Sequence, residues 1–331
     1  MIICDDMEIK DYFDAKRRIA GIVHKLPLEF SKYFSDMAGA NVYLKCENRQ
    51  KTGSFKVRGA YNKIARLVEK GRPSSVVACS MGNHAQAVAF AATEAGVKSS
   101  IVMPTKAPIV KIEATRGYGA EVVLHGDTYS DASDHAREIE AKTGAVFIPG
   151  FDDDDVISGA GTVGLEILED LINVNTIIIP AGGGGILAGV AYAVKHINPQ
   201  VRIIGVQSEG ANALYTSFKS GTLVTSATST FADGIAVQKP GIRPYEIIRD
   251  YVDDIVLVSD DEIADAMIGL LERCKQVVEP SGAASLAAIA TGKVNVRGQN
   301  VVCIVSGGNL DLEVVARLIE RYVAKRKQGG K

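Results

Sequence analysis

Eight short runs rich in β-branched residues constrain this chain more than any other feature: SSVVACS (74–80), SSIVMP (99–104), AEVVLHG (120–126), AVFIP (145–149), TIIIP (176–180), RIIGVQS (202–208), DIVLVS (254–259) and NVVCIVS (300–306). Amphipathic helical stretches lie between them, and such alternation predicts parallel sheets covered by helices on both faces. The helices have readable ends. Phe55 to Lys70 is followed by Gly71, Asn83 to Ala95 by Gly96, and Tyr129 to Thr143 by Gly144, each glycine suited to a left-handed C-terminal cap. The fold class is therefore α/β, and 331 residues at roughly one domain per ~150 give two domains. No internal repeat or low-complexity linker marks a boundary between them, and only Lys327 to Lys331 read as frayed.

An apolar fraction of 47% with 23% charged residues excludes a disordered or fibrous chain. Thirty-seven basic against thirty-nine acidic residues leave a formal charge of −2, with no sequence-wide footprint for nucleic acid or an anionic membrane. Small molecules and copies of the same chain are the expected partners. The five cysteines, Cys4, Cys46, Cys79, Cys274 and Cys303, are widely spaced and contain no CxxC, which argues against a disulfide framework or zinc cage and for a reducing, cytoplasmic compartment. The N-terminal MIICDDMEIKDYF has acids where a signal peptide carries bases. Ile177 to Val194 is uncharged, but Pro180 and Gly182–Gly185 cut it into a strand and a helix start, so it reads as buried core rather than a membrane span.

Ligands of open parallel sheets bind beyond the carboxyl ends of the strands, and three such ends are unusual. After TIIIP comes Gly182-Gly183-Gly184-Gly185 and then a helix. Without Cβ atoms this backbone can approach an anion, and free N–H groups at a helix N-terminus supply hydrogen bonds and partial positive charge. That is a phosphate cradle; the plainer alternative is a loop that needs positive φ. Residues 183–188 also satisfy GxGxx[G/A], with Glu209 24 residues past Gly185, a weak dinucleotide fingerprint. After VVACS come Ser80, Met81, Gly82, Asn83 and His84, whose hydroxyl, amide and backbone donors suit a carboxylate. Capping explains Ser80 and Asn83 as well, and packing is the plainer role for His84. After NVVCIV comes Ser306-Gly307-Gly308-Asn309, by itself a tight turn.

One lysine is oddly placed. The helix after Lys51-Thr52-Gly53-Ser54 has Lys56 and Arg58 in its first turn, against the helix dipole, so something must compensate. A lysine held near a positive helix end and desolvated loses its proton more readily, as a Schiff-base lysine must. A nucleophilic lysine, a glycine-built phosphate cup and polar groups at two further strand ends are together what pyridoxal phosphate needs.

TGSFKVRGA (52–60), SMGNHAQ (80–86), GGGG (182–185), VEPSGA (278–283) and SGGN (306–309) in this order resemble the threonine dehydratase and serine racemase group of fold type II pyridoxal-phosphate enzymes, closest to the short, catabolic type. The resemblance runs from about Ile19 to Ile319. It implies a tryptophan-synthase-β-like fold with a small substrate-carboxylate domain at 75–148, inserted in a large cofactor domain formed by 1–74 and 149–331. It implies that Lys56 makes the Schiff base and Phe55 packs on the pyridine ring. Asn83 would meet the ring hydroxyl, Gly182–Gly185 the phosphate, Ser306 the ring nitrogen, and the Ser80–His84 turn the substrate carboxylate. A serine at the ring nitrogen, unlike a carboxylate, does not hold it protonated, which lets expulsion of a β-hydroxyl compete.

Two departures separate the relatives. Met81 stands where the racemases carry a serine able to protonate the opposite face, which favours elimination. Gln207 and Ala213 stand where they carry acids around a divalent metal, so no metal is expected there. Asp152–Asp155 read as acids at a helix start, over 156–171, rather than a metal site. The expected activity is L-threonine/L-serine dehydration to 2-oxobutanoate or pyruvate and ammonia. Serine racemisation or hydroxyaspartate dehydration is the alternative, and an NAD-dependent oxidoreductase or a non-catalytic sensor the distant one. The resemblance also implies a homodimer or homotetramer and a possible nucleotide effector, while the 22 residues after Asn309 leave no room for a separate regulatory domain.

Overall fold

A computed structural model describes residues 7–329, so the first six residues, with Cys4 among them, and Gly330 and Lys331 lie outside the described residues. Ten strands are found among them: β1 (Leu28–Phe30), β2 (Asn41–Cys46), β3 (Ser75–Cys79), β4 (Lys98–Met103), β5 (Glu121–Leu124), β6 (Val146–Phe147), β7 (Thr176–Pro180), β8 (Arg202–Ser208), β9 (Asp254–Val258) and β10 (Asn300–Val305). They form a six-stranded sheet ordered β1-β2-β10-β7-β8-β9 and a four-stranded sheet ordered β5-β4-β3-β6. Every pairing is parallel except β1 with β2. All eight runs read from the sequence are strands. β7 is buried at all five positions, as expected of a parallel strand covered on both faces.

Three details differ from the sequence reading. β1 and β2 were not anticipated, because β2 carries Lys45, a fully buried lysine whose charge disguises a core strand. Lys327 to Gly329 continue the helix Leu312–Gly329 instead of fraying. The helix expected at 156–171 starts earlier, at Asp154, because Asp153 caps it by accepting from the N–H groups of Asp155 and Val156 at 3.0 and 3.1 Å. Asp152 does the same for another helix, accepting from Ile242 and Arg243 N–H at 3.0 Å each. The capping expectation for Gly144 holds, at φ 73°.

Two glycine contacts fix the helices that matter most. A Cβ on Gly59 would stand 2.7 Å from the Val156 carbonyl oxygen, and one on Gly159 would stand 2.8 Å from the Gly59 Cα. A Cβ on Gly189 would stand 2.8 Å from the Gly161 nitrogen. The helix Asp154–Asp170 therefore touches the helix Lys56–Gly71 on one side and the helix Gly185–Ile197 on the other, backbone against backbone. Side chains longer than hydrogen cannot enter these seams without moving main chain. The helix that begins with Lys56 and the helix that begins at the glycine loop are thereby held at a set separation.

Beside this seam the unfavourable first-turn arginine finds its compensation. Arg58, fully buried, donates to Glu47 through two nitrogens at 2.8 Å each and to Glu166 at 2.7 and 2.9 Å. Lys45 donates to the same Glu166 at 2.7 Å. Two cations and two anions close a neutral buried quartet tying β2, the Lys56 helix and the Asp154–Asp170 helix. Its bidentate geometry offsets the desolvation that a lone buried charge would suffer.

Candidate active site

β2, β10 and β7 are neighbours in the six-stranded sheet, with Cys46 beside Val305 and Cys303 beside Ile178. Their carboxyl ends lead to the Lys56 segment, to Ser306–Asn309 and to Gly182–Gly185 respectively, at a point where the strand order reverses, the expected place for a ligand crevice. The Lys56 loop is zippered onto the β10 end. Ser54 bridges Gly307, Phe55 N–H donates to the Ser306 carbonyl at 3.1 Å, and Gly308 N–H donates to the Gly53 carbonyl at 2.9 Å. Ser306 is itself buried at this junction.

From the four-stranded sheet, β3 delivers Ser80–His84 and β6 delivers Ile148–Phe151. The helix Asn83–Glu94 starts without a side-chain cap, which leaves its first N–H groups available to an anion. Ser80 Oγ accepts from Gly82 N–H at 3.2 Å and so shapes the turn. His84 is buried, and its Nε2–H donates to the Ile148 carbonyl at 2.9 Å. Burial, with Lys56 adding to it, pushes the imidazole down to about 4, so the ring is neutral and its role is to pack and brace the turn. Met81 leans on the apolar core of this layer.

Lys56 lies between the two layers. Its Nζ donates to the Gly150 carbonyl at 2.6 Å and stands 5.3 Å from the Phe55 ring centre and 5.9 Å from that of Phe151. Burial pulls the amine down to about 8, against the pull of Glu279 in the other direction. Glu279 is the acid of this site, and no role had been read for it from VEPSGA. Burial, with Asp233 adding to it, pushes its carboxyl up to about 8. Asn83 Nδ2 donates to Glu279 Oε1 at 2.7 Å, and Asn83 Oδ1 accepts from Asn309 Nδ2 at 2.8 Å. Asn309 in turn donates to the Thr52 carbonyl at 2.7 Å. The amide of Asn83 is thus clamped by two residues of the opposite layer. Glu279 and Asn309 escape sequence reasoning because each acts through Asn83, 196 and 226 positions away, and only their motif membership marked them; Phe151, against Gly183 and near Lys56, carried no mark at all.

The glycine loop fits an anionic group. Among the described residues, the N–H groups of Gly182, Gly183 and Gly184 donate to no protein acceptor. Their Cβ directions all point into protein: to Ile235 from Gly182, Phe151 from Gly183, and Pro244 and Ile248 from Gly184, whose φ of 100° also favours glycine. Unspent donors at the start of a helix, beside a lysine amine drawn toward neutrality, are what the phosphate and aldehyde of pyridoxal phosphate require. The dinucleotide alternative loses its acid, because Glu209 is exposed and pairs with Lys293 at 3.4 Å. Gln207 spends its Oε1 on the Tyr215 N–H at 2.7 Å. Cys46, Cys79, Cys274 and Cys303 are free thiols, and no described helix is long and apolar enough to cross a membrane.

Comparison with known proteins agrees with this geometry. The family described as pyridoxal-phosphate dependent enzyme matches residues 19–307. The catabolic L-threonine dehydratase TdcB of Escherichia coli K12 is 48% identical over 313 residues, 94% of this chain and 95% of that protein. Among solved structures, threonine deaminase isoform 2 of Solanum lycopersicum superposes with a TM-score of 0.91 at 38% identity, over 96% of this chain and 88% of that one. Maize serine racemase does so at 0.90 and 37%, over 97% and 99%. A lysine helix and an unspent glycine loop, set by the same strand ends as the matched motifs, leave one conclusion: the chain belongs to the pyridoxal-phosphate dependent enzymes, in the group that joins threonine dehydratases with serine racemases.

Proposed function

We propose that this chain is an L-threonine/L-serine ammonia-lyase that forms 2-oxobutanoate or pyruvate and ammonia. The observation that carries the reading is the half-buried Lys56 amine, held on the Gly150 carbonyl at 2.6 Å and drawn down to about 8, with the Phe151 ring reaching both it and the unspent glycine loop. At pH 7 roughly a tenth of such amines are neutral, against fewer than about one in a thousand for an ordinary lysine.

Lys56, Phe55, Asn83, Gly182–Gly185 and Ser306 would hold pyridoxal phosphate, which supplies an aldehyde for amino groups and a ring that withdraws electrons from Cα. The N–H groups of Met81, Asn83 and His84 in the Ser80–His84 turn, which donate to no protein acceptor among the described residues, bind the substrate carboxylate. The neutral Lys56 amine takes the Cα proton. That proton and the β-hydroxyl leave in net terms as water, and the released enamine tautomerises and is hydrolysed to the keto acid and ammonia. Asn83 stays oriented throughout by Glu279 and Asn309, and the rings of Phe55 and Phe151 keep water from the amine.

In this reading residues 75–148 act as the substrate domain closing on a cofactor domain built from 1–74 and 149–331, in a cytoplasmic dimer or tetramer open to a nucleotide effector. A second reading, serine racemisation, is favoured by the likeness to maize serine racemase and disfavoured by Met81, which has no proton to give. The test is a keto-acid assay with L-threonine, L-serine and threo-3-hydroxy-L-aspartate, plus a chiral assay for D-serine. Keto acid from threonine is expected; D-serine without keto acid would replace the first reading with the second.

A further inference from the structure

Phe151 belongs to no sequence motif, yet it lies against two glycines of the loop. A Cβ built on Gly183 would stand 2.5, 2.6 and 2.6 Å from Cε1, Cδ1 and Cγ of the Phe151 ring. A Cβ on Gly185 would meet a different part of the same residue, its Cβ at 2.9, Cα at 3.1 and carbonyl oxygen at 3.3 Å. Neither glycine has a φ in the left-handed region. Backbone freedom therefore does not explain glycine at 183 and 185, whereas the room occupied by Phe151 does. The same ring centre is 5.9 Å from Lys56 Nζ, and the preceding residue, Gly150, accepts the amine's hydrogen bond at 2.6 Å.

We propose that Phe151 is a positioning residue that braces the glycine loop with its ring and walls the Lys56 amine from water. A loop of four glycines has no side chains of its own to hold its shape and loses the most conformational freedom on ordering. A ring pressed against its backbone supplies the missing packing and keeps the loop N–H groups turned the other way. An apolar ring beside an amine also displaces the water that would favour its charged form. The proposal rests on the cofactor reading only for what the loop binds; the bracing and the wall are properties of the protein alone.

The test uses the full-length chain with Gly183→Ala, Gly185→Ala and Phe151→Ala, and with each glycine change combined with Phe151→Ala. Three quantities are read: the thermal midpoint, the dissociation constant for pyridoxal phosphate from its visible absorbance, and the pH midpoint for reductive methylation of Lys56 by mass spectrometry without cofactor. Gly183→Ala is expected to lower the thermal midpoint and weaken cofactor binding about tenfold or more, because its methyl overpacks the ring. Adding Phe151→Ala removes that ring and returns both quantities to those of Phe151→Ala alone. Gly185→Ala gains no such relief, since alanine at 151 keeps the Cβ, Cα and carbonyl it meets. Phe151→Ala alone raises the Lys56 midpoint by about half a pH unit or more as water reaches the amine.

Bracing is overturned if Gly183→Ala behaves as wild type, or if the double variant is no better than Gly183→Ala. An unmoved Lys56 midpoint in Phe151→Ala overturns the wall. If no chain, wild type included, binds pyridoxal phosphate, the cofactor reading fails, and the thermal coupling between positions 183 and 151 together with the pH midpoint still decide this proposal.

Discussion

The site is bounded by two kinds of contact that differ in stiffness. On the cofactor side, helices meet backbone to backbone at Gly59/Gly159 and Gly161/Gly189, and the neutral quartet of Arg58, Glu47, Glu166 and Lys45 is buried beside them. Away from the apolar cluster that Val57, Ala60 and Ile64 share with the four-stranded layer, the layers meet across the cleft through separate polar contacts: Asn83 with Glu279, Tyr118 OH donating to the Lys51 carbonyl at 3.1 Å, and a Lys111–Asp233 pair at 3.2 Å. Close-packed main chain cannot slide by fractions of an ångström without cost, whereas an exposed ion pair exchanges with water at almost none. The comparison separates a half that packs the lysine and glycine helices backbone to backbone from a half that meets them partly through single polar contacts, as the proposed closure requires.

Four measurements would break or sharpen this contrast. The largest effect belongs to Lys56→Ala. Keto-acid formation should fall by at least ~10³-fold with the thermal midpoint nearly unchanged, as expected when a base is removed without loss of packing. Next, Arg58→Met leaves buried Glu47 without its cation and Glu166 with Lys45 alone, and should cost about 3–5 kcal/mol of unfolding free energy, read by urea denaturation. A loss below ~1 kcal/mol would show that the stiff half does not depend on its charge quartet.

Third comes a pH signature. Burial raises the Glu279 carboxyl to about 8, so between its ordinary value near ~4.5 and about 8 the folded chain holds a proton that the unfolded chain has lost. Protonation of this group then favours the folded state fully below that window, and the contribution drains away as pH rises through it. Glu279→Gln should flatten that decline in denaturation midpoints taken across the window, and an unchanged slope would assign it to other groups. The smallest effect is expected from Asp233→Asn. An exposed pair contributes at most ~1 kcal/mol, so KM should rise no more than about fivefold, with kcat steady and the difference shrinking in high salt. A large kcat effect would move Asp233 from the rim into the chemistry.

Legibility in the sequence followed the same division. Strand runs, the glycine loop, the odd lysine and the two polar turns are local, and periodicity or residue type exposed them. What stayed hidden is long-range. Lys45 reads as a surface residue until Glu166, 121 positions away, is seen to neutralise it. Glu279 carries no role of its own within VEPSGA until burial and Asn83 are added. Phe151 is an unremarked aromatic until Gly183 is found against its ring. Four glycines suggested a ligand, and the structure adds a second cause for two of them, the ring of Phe151 against Gly183 and its main chain and Cβ against Gly185.

The helix Lys56–Gly71 packs against both layers: Gly59 meets the Asp154–Asp170 helix, while Val57, Ala60 and Ile64 share one apolar cluster with Val76, Ala78 and Val88 of the four-stranded layer. An element gripped by both bodies is the natural axle for rotation between them, and points on an axle travel least. In the proposed closure the amine stands where the swing of the cleft has almost no lever arm, so that what surrounds it changes far more than its own position.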